Sequence, residues 1–189
     1  GKLWVVGAGG PMGQMHVQWA LEQDKPPALL VASDLDRDRL ALVATRFSAA
    51  AQSKGTRLVC LNPKELGPED FDVRLSELAP EGFDDICCLV PVPTIIADCA
   101  RYLGPRGLLN IFAGVGRGTM ADINVTPLAA NQALLHGTSG SSIDDLEMTL
   151  RLAEAGKLNT NMSVAAICGI DGVRDGLEAV LNQTFPGKT

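Results

Sequence analysis

Within its first thirteen residues the chain runs a short apolar segment, Lys2-Leu3-Trp4-Val5-Val6, into Gly7-Ala8-Gly9-Gly10-Pro11-Met12-Gly13, after which Met12, Met15, Trp19 and Ala20 recur at helical spacing. A strand that passes into a helix through glycines is a strong constraint. Glycines allow a sharp turn and a close backbone approach, and the open N–H groups and positive dipole end of the helix attract a phosphate. Pro11 suits the first helical position, where its missing N–H costs no intrahelical bond. The working reading is a dinucleotide site. The spacing is off the usual pattern: Gly13 follows Gly9 by four positions instead of three, and Ala8-x-Gly10-x-x-Gly13 has the right spacing with Ala first. Alone, the cluster leaves a phosphate cradle and a merely tight turn open.

The next elements supply context. Ala28 to Ser33 is an unbroken run of small apolar residues, as in a parallel strand buried on both faces, and it ends at Asp34, 21 residues after Gly13. Asp36 then caps a helix lined by Leu40, Val43, Phe47 and Ala50, which runs to the Ser53-Lys54-Gly55 loop. In a βαβ unit of this kind an acid at the end of the second strand accepts hydrogen bonds from the adenosine ribose and repels a 2′-phosphate. NAD is therefore favoured over NADP, although Arg37 and Arg39 are placed to hold a 2′-phosphate. The other reading of Asp34 is a helix cap, a role for which Asp36 and Asp38 compete.

Alternation continues downstream. Strands are expected at Arg57 to Leu61, Asp85 to Val90, Leu108 to Phe112 and Ala133 to His136, with helices around Phe71 to Leu78, from Thr94 to Leu103 and from Thr126 to Asn131. Gly104-Pro105-Arg106-Gly107 reads as a helix-to-strand connection. Ser142 and Asp145 form a capping box for a helix lined by Ile143, Leu146, Leu150 and Ala153 and ended by Gly156. The expectation is an α/β fold with a doubly wound, six-stranded parallel sheet spanning 1–156, followed by a C-terminal segment, 157–189. Ligands in such sheets bind beyond the carboxyl ends of the strands, where the glycine loop, Asp34, Pro91, Gly114 and Thr138 fall.

Composition narrows the classes. Among 189 residues, 46% are hydrophobic, enough for one core, and the net charge is −6 with aromatics at only 4%, which offers nucleic acid neither a basic track nor a stacking platform. There is no membrane-length apolar run and no leader, so a soluble, cytoplasmic protein is expected. Cys60, Cys87, Cys88, Cys99 and Cys168 lack C-x-x-C spacing and lie mostly in apolar runs, as buried thiols do. His16 has no acid nearby in sequence and is read as a packing or surface residue, as is Trp19 with Met15 for the core. His136 is read as packing at a strand end, and neither histidine has the neighbours a catalytic zinc needs.

In its order of motifs the chain resembles the zinc-type medium-chain alcohol and polyol dehydrogenase superfamily, along nearly its whole length. The resemblance is carried by Val5 to Gly13, Ser33 to Arg39, Gly104 to Gly114 and His136-Gly137-Thr138-Ser139-Gly140, then by Leu158, Gly169 to Val173, Leu177 and Gly187-Lys188-Thr189. It implies that, within a cofactor-binding loop running from Gly7 to Gly13, Gly9, Gly10, Pro11 and Met12 present backbone to the pyrophosphate, while Asp34 holds the ribose and Arg39 flanks the adenine. Pro91 would lie at the same edge, Ala113, Gly114, Thr138 and Gly140 would meet the nicotinamide carboxamide, and Lys188 would reach the pyrophosphate. The extra loop residue departs from the family pattern and leaves the individual phosphate contacts open. Zinc ligands and the proton relay belong, by the same resemblance, to a catalytic domain in preceding sequence. The chain has no initiator Met, looks like an excised segment, and is expected to bind NAD(H) without turning over alcohols. A homodimer through the sixth strand is the family analogy for assembly, and a sugar alcohol or its phosphate the analogy for substrate. Two other classes stand beside this one: a nucleotide-sensing Rossmann module and a methyltransferase using S-adenosylmethionine.

Overall fold

The computed structural model describes residues 1–138, 140–182 and 184–185. Six parallel strands, β1 (Lys2–Val6), β2 (Leu29–Ser33), β3 (Arg57–Leu61), β4 (Phe83–Cys88), β5 (Leu103–Ile111) and β6 (Leu134–Gly137), form one sheet in the order β3-β2-β1-β4-β5-β6. The order reverses between β1 and β4. Helices α1 (Pro11–Leu21) and α2 (Arg37–Ser53) follow the first two strands; α3 (Pro63–Leu66), α4 (Pro68–Leu78), α5 (Pro93–Arg101) and α6 (Thr126–Asn131) connect the later ones. Beyond β6 come α7 (Ile143–Glu154), two short 3₁₀ turns (Thr160–Ser163 and Ile170–Gly172) and α8 (Val173–Leu181).

Side-chain parity in the strands explains the two layers. Successive residues of a strand face opposite sides. Val5, Leu30 and Ala32 pack with Val17, Leu21, Val43 and Phe47 of α1 and α2, whereas Trp4, Val6, Leu29 and Val31 pack with Leu75, Ile96 and Cys99 of α4 and α5. Right-handed crossovers require this: connections running from β1 toward β3 cover one face, and those running from β3 toward β6 cover the other.

Several local expectations need correction. Residues 104–107 belong to β5 instead of preceding it. Gly104 and Gly107 let strand backbones come close where the register of β4 and β5 shifts: a Cβ on Gly107 would lie 2.6 Å from the Phe83 carbonyl, and one on Gly104 2.8 Å from that of Glu81. β4 accordingly starts at Phe83 and stops at Cys88, and α5 stops at Arg101 so that Leu103 can pair. The stretch before β4 carries two helices; each begins with a proline at its first turn, the position where proline starts helices. On α1 the buried face is Gly13, Gln14, Val17, Ala20 and Leu21, so Met15 and Trp19 are half-buried flanks instead of core. β6 is shifted one residue on from the expected span.

Candidate cofactor-binding site

Backbone hydrogen bonds stitch the carboxyl ends of the strands into one rim. The N–H groups of Gly7 and Ala8 both donate to the Ser33 carbonyl (2.9 and 3.0 Å), Asp34 to Leu61 (3.3 Å) and Leu89 to Val6 (3.0 Å). Farther along, Phe112 and Ala113 donate to Cys88 (3.0 and 3.1 Å) and Thr138 to Ile111 (3.4 Å), while the Thr138 hydroxyl donates to Asn110 Oδ1 (3.1 Å). Each loop is thereby held by the neighbouring strand.

The glycines of the first loop do different jobs. Gly7 has φ +83°, where a side chain is strained, and a Cβ would sit 2.9 Å from Val90 Cγ2. Gly13 lies against the backbone that enters the loop: a Cβ would come to 2.3 Å from the Gly7 carbonyl oxygen. At Gly9 a Cβ would meet Arg39 Cβ at 2.7 Å and the Asp34 carboxylate at 2.9 Å, but at Gly10 nothing stands closer than 3.8 Å. The crowded glycines bring β1, β2 and α1 together; Gly10 faces open space at the mouth.

Helix α1 starts with Gly10 in extended conformation and Pro11 in its first turn, without a side-chain cap and without an acid in that turn. The starts of α2, α3 and α7 are capped by Asp36, Asn62 and Ser142, whereas those of α4, α5, α6 and α8 also lack a side-chain cap; α1 differs from these in following the glycine loop beside the Asp34 carboxylate. The α1 terminus therefore presents its N–H groups and dipole to a ligand, and these residues fit an anionic cofactor. Asp34 stands at its rim, half-buried, with Oδ2 accepting from the Gly9 N–H (2.8 Å) and Oδ1 from the Asp36 N–H (2.9 Å). Asp36, not Asp34, caps α2, accepting from Asp38 and Arg39 at 3.0 Å each. Arg39 pairs with Asp36 (3.5 Å) beside the loop.

Pro91, Gly114 and Gly140 are exposed, and Ala113 and Thr138 half-buried, along the same edge; Lys188 lies outside the described residues. His16 donates from Nδ1 to the Met12 carbonyl (2.7 Å) and sets its ring edge against Phe112 at 4.9 Å. His136 is exposed on the edge strand instead of packed at a strand end. Among the described residues no three His, Cys, Asp or Glu side chains come together to hold a metal, and no helix is long and apolar enough to cross a membrane. Cys87, Cys88 and Cys99 are buried, and burial pushes the Cys87 thiol up to about 12. A groove of about 480 Å³ runs along the sheet beside α1, walled by Val5, His16, Trp19, Ile86 and Leu108.

One contributor is absent from the motif reading. Gln14, only 1% exposed, donates from Nε2 to the Gly9 carbonyl (2.9 Å) and accepts from Arg46 of α2, whose same guanidinium nitrogen also donates to the Met162 carbonyl (2.7 Å). Its signal in sequence is a polar residue in register with Val17 and Leu21 on the apolar stripe of α1.

No family model matches the chain. It is 33% identical over 96% of its length to the uncharacterized protein YggP of Escherichia coli K12, 28% identical over 99% to a mannitol-1-phosphate 5-dehydrogenase of Aliivibrio fischeri, and 31% identical over 90% to an L-sorbose 1-phosphate reductase of Klebsiella pneumoniae. It spans 40–44% of the length of these relatives. Among solved structures, 2R,3R-butanediol dehydrogenase from Bacillus subtilis superimposes with a TM-score of 0.78 at 17% identity, covering 99% of this chain and 48% of that one. An alcohol dehydrogenase zinc-binding domain protein from Burkholderia ambifaria gives 0.78 at 19% identity, covering 98% and 46%. A short chain alcohol dehydrogenase from E. coli, complexed with the cofactor NADH, gives 0.76 at 12%, covering 95% and 48%.

Proposed function

We infer that this chain, which carries the Rossmann domain of the zinc-type medium-chain alcohol and polyol dehydrogenase superfamily, binds NAD(H) and orients it for a reaction completed by the rest of the dehydrogenase. The observation that carries the reading is the side-chain-free start of α1 facing open space at Gly10, with the Asp34 carboxylate at its rim. The N–H groups of that turn hold the pyrophosphate, and Asp34 accepts from the adenosine ribose hydroxyls. A 2′-phosphate would bring its charge against the Asp34 carboxylate, which favours NAD over NADP. Arg39 flanks the adenine, and Ala113, Gly114, Thr138 and Gly140 line the nicotinamide end. Bound nicotinamide supplies the hydride acceptor for alcohol oxidation.

Zinc and the proton relay are assigned to a catalytic domain in cis, so this chain binds cofactor without turnover. The names of two relatives, mannitol-1-phosphate 5-dehydrogenase and L-sorbose 1-phosphate reductase, favour a phosphorylated sugar alcohol as the substrate of the complete enzyme. The exposed β6 edge, with Leu134 60% exposed, suits antiparallel pairing with a second copy.

Titration with NADH, NADPH and S-adenosylmethionine tests the reading. NADH is expected to bind at least about tenfold more tightly than NADPH, and S-adenosylmethionine not to displace it, with Asp34→Ala narrowing the NADH/NADPH gap. No NADH binding at millimolar concentration overturns the assignment; zinc-dependent alcohol turnover by this chain overturns the division of labour.

A further inference from the structure

The Gly9 peptide is held at both ends, by Asp34 on its N–H (2.8 Å) and by Gln14 on its carbonyl (2.9 Å). The orientation of the Gln14 carboxamide follows from its partners: a carbonyl only accepts and a guanidinium only donates, so Nε2 faces Gly9 and Oε1 faces Arg46. The bond from Gly9 to Gly10 is planar and trans, so the Gly9 carbonyl and the Gly10 N–H point in opposite directions. With the carbonyl drawn inward to a buried carboxamide, the Gly10 N–H is turned outward over the loop. Among the described residues that N–H has no acceptor.

We propose that Gln14 is a positioning residue, held by Arg46, that aims the Gly10 N–H at the pyrophosphate of the cofactor. This rests on the reading of the loop as a cofactor cradle. The Gly9 carbonyl of the off-pattern loop lies within reach of Gln14 on the first turn of α1, and the carboxamide fixes the direction of that peptide. Arg46 holds Oε1 and ties the same assembly to the Met162 carbonyl of the C-terminal segment.

Gln14→Glu separates the two contacts. A carboxylate still accepts from Arg46 but cannot donate to the Gly9 carbonyl and repels it. In the folded variant, ADP-ribose affinity is expected to fall about tenfold, the worth of one hydrogen bond to a charged group, and adenosine affinity to hold. A variant that binds ADP-ribose as the parent does, or that loses adenosine to the same extent, overturns the proposal. A second measurement needs no substitution: the Gly10 amide proton of the unaltered chain should move downfield on ADP-ribose addition and stay in place with adenosine. ADP-ribose binding that leaves Gly10 unmoved overturns the role of Gln14 alone. No ADP-ribose binding at all overturns the cradle itself.

Discussion

Residues up to Leu109 and those after it are built on different terms. In the first region every strand is covered on at least one face, and Phe47, Phe83, Leu30, Leu75 and Ile86 are essentially removed from solvent. In the second, Ala133 is the only described apolar residue that is buried, whereas Ile167 and Ile170 are 90% and 88% exposed. The second region is not poorly specified. Helix α7 has a complete capping box, and α8 gathers Val173, Leu177, Val180 and Leu181 on an apolar stripe. Local signals therefore suffice to define these helices, yet neither helix has a fully buried residue among those described. Exposed apolar residues on this scale mark a contact surface.

Stability is where the contrast is largest. Phe47→Ala empties a site filled from α1, α2 and the sheet and should cost about 3–5 kcal/mol in denaturant unfolding. Gly13→Ala should cost on the order of 3 kcal/mol, because its Cβ would lie 2.3 Å from a backbone oxygen that cannot move without dislodging the loop. Leu181→Ala, at a side chain 81% exposed, should change stability by less than about 0.5 kcal/mol. A cost at Leu181 matching that at Phe47 would break the comparison, since it would require α8 to be packed as closely as the core.

The same division governs what the sequence reveals. The alternation of strands and helices, the glycine turn and the Asp36 cap are legible because they depend on near neighbours and on side-chain period. The Gly104 to Gly107 stretch misleads because the same glycines that signal a turn also allow two strands to approach, and only the pairing of Phe83 with Leu103 decides between them. Pro63 and Pro68 each start a helix, where the sequence pattern predicts a single one around Phe71 to Leu78. In the candidate site, the grouping of Gly7 to Gly13 with Asp34 follows from one βαβ unit. The link from Gln14 to Arg46 joins residues 32 apart on separate helices, and no local pattern encodes it.

Thiol chemistry sharpens the comparison at a smaller scale. Cys99 is fully buried, and its hydrogen bond to Cys88 together with burial pushes its thiol well above the ordinary value, whereas Cys168 is exposed. The thiolate is the species that reacts. Iodoacetamide at pH 8 should therefore label Cys168 first and Cys87 and Cys99 only on unfolding, as read by peptide mass spectrometry. Early labelling of Cys99 would mean that the α5 layer opens as readily as the second region.

The smallest effect is expected in α7. The Ser142 N–H and hydroxyl, both donating to the Asp145 carboxylate, hold its pKa below the ordinary 3.8. A carboxyl with a depressed folded value contributes stability above its unfolded value and loses it as pH falls through the folded one. Acidification below pH 3.8 should therefore fray the first turn of α7, which amide exchange at Asp145 and Leu146 would detect. Because α7 buries no residue, the fraying should stay local and leave the exchange of β1 and β4 unchanged. If Asp145→Asn, which removes the titrating carboxyl, abolishes the pH step, the capping box is its source; if β1 loosens together with α7, the helix and the sheet share a cooperative unit.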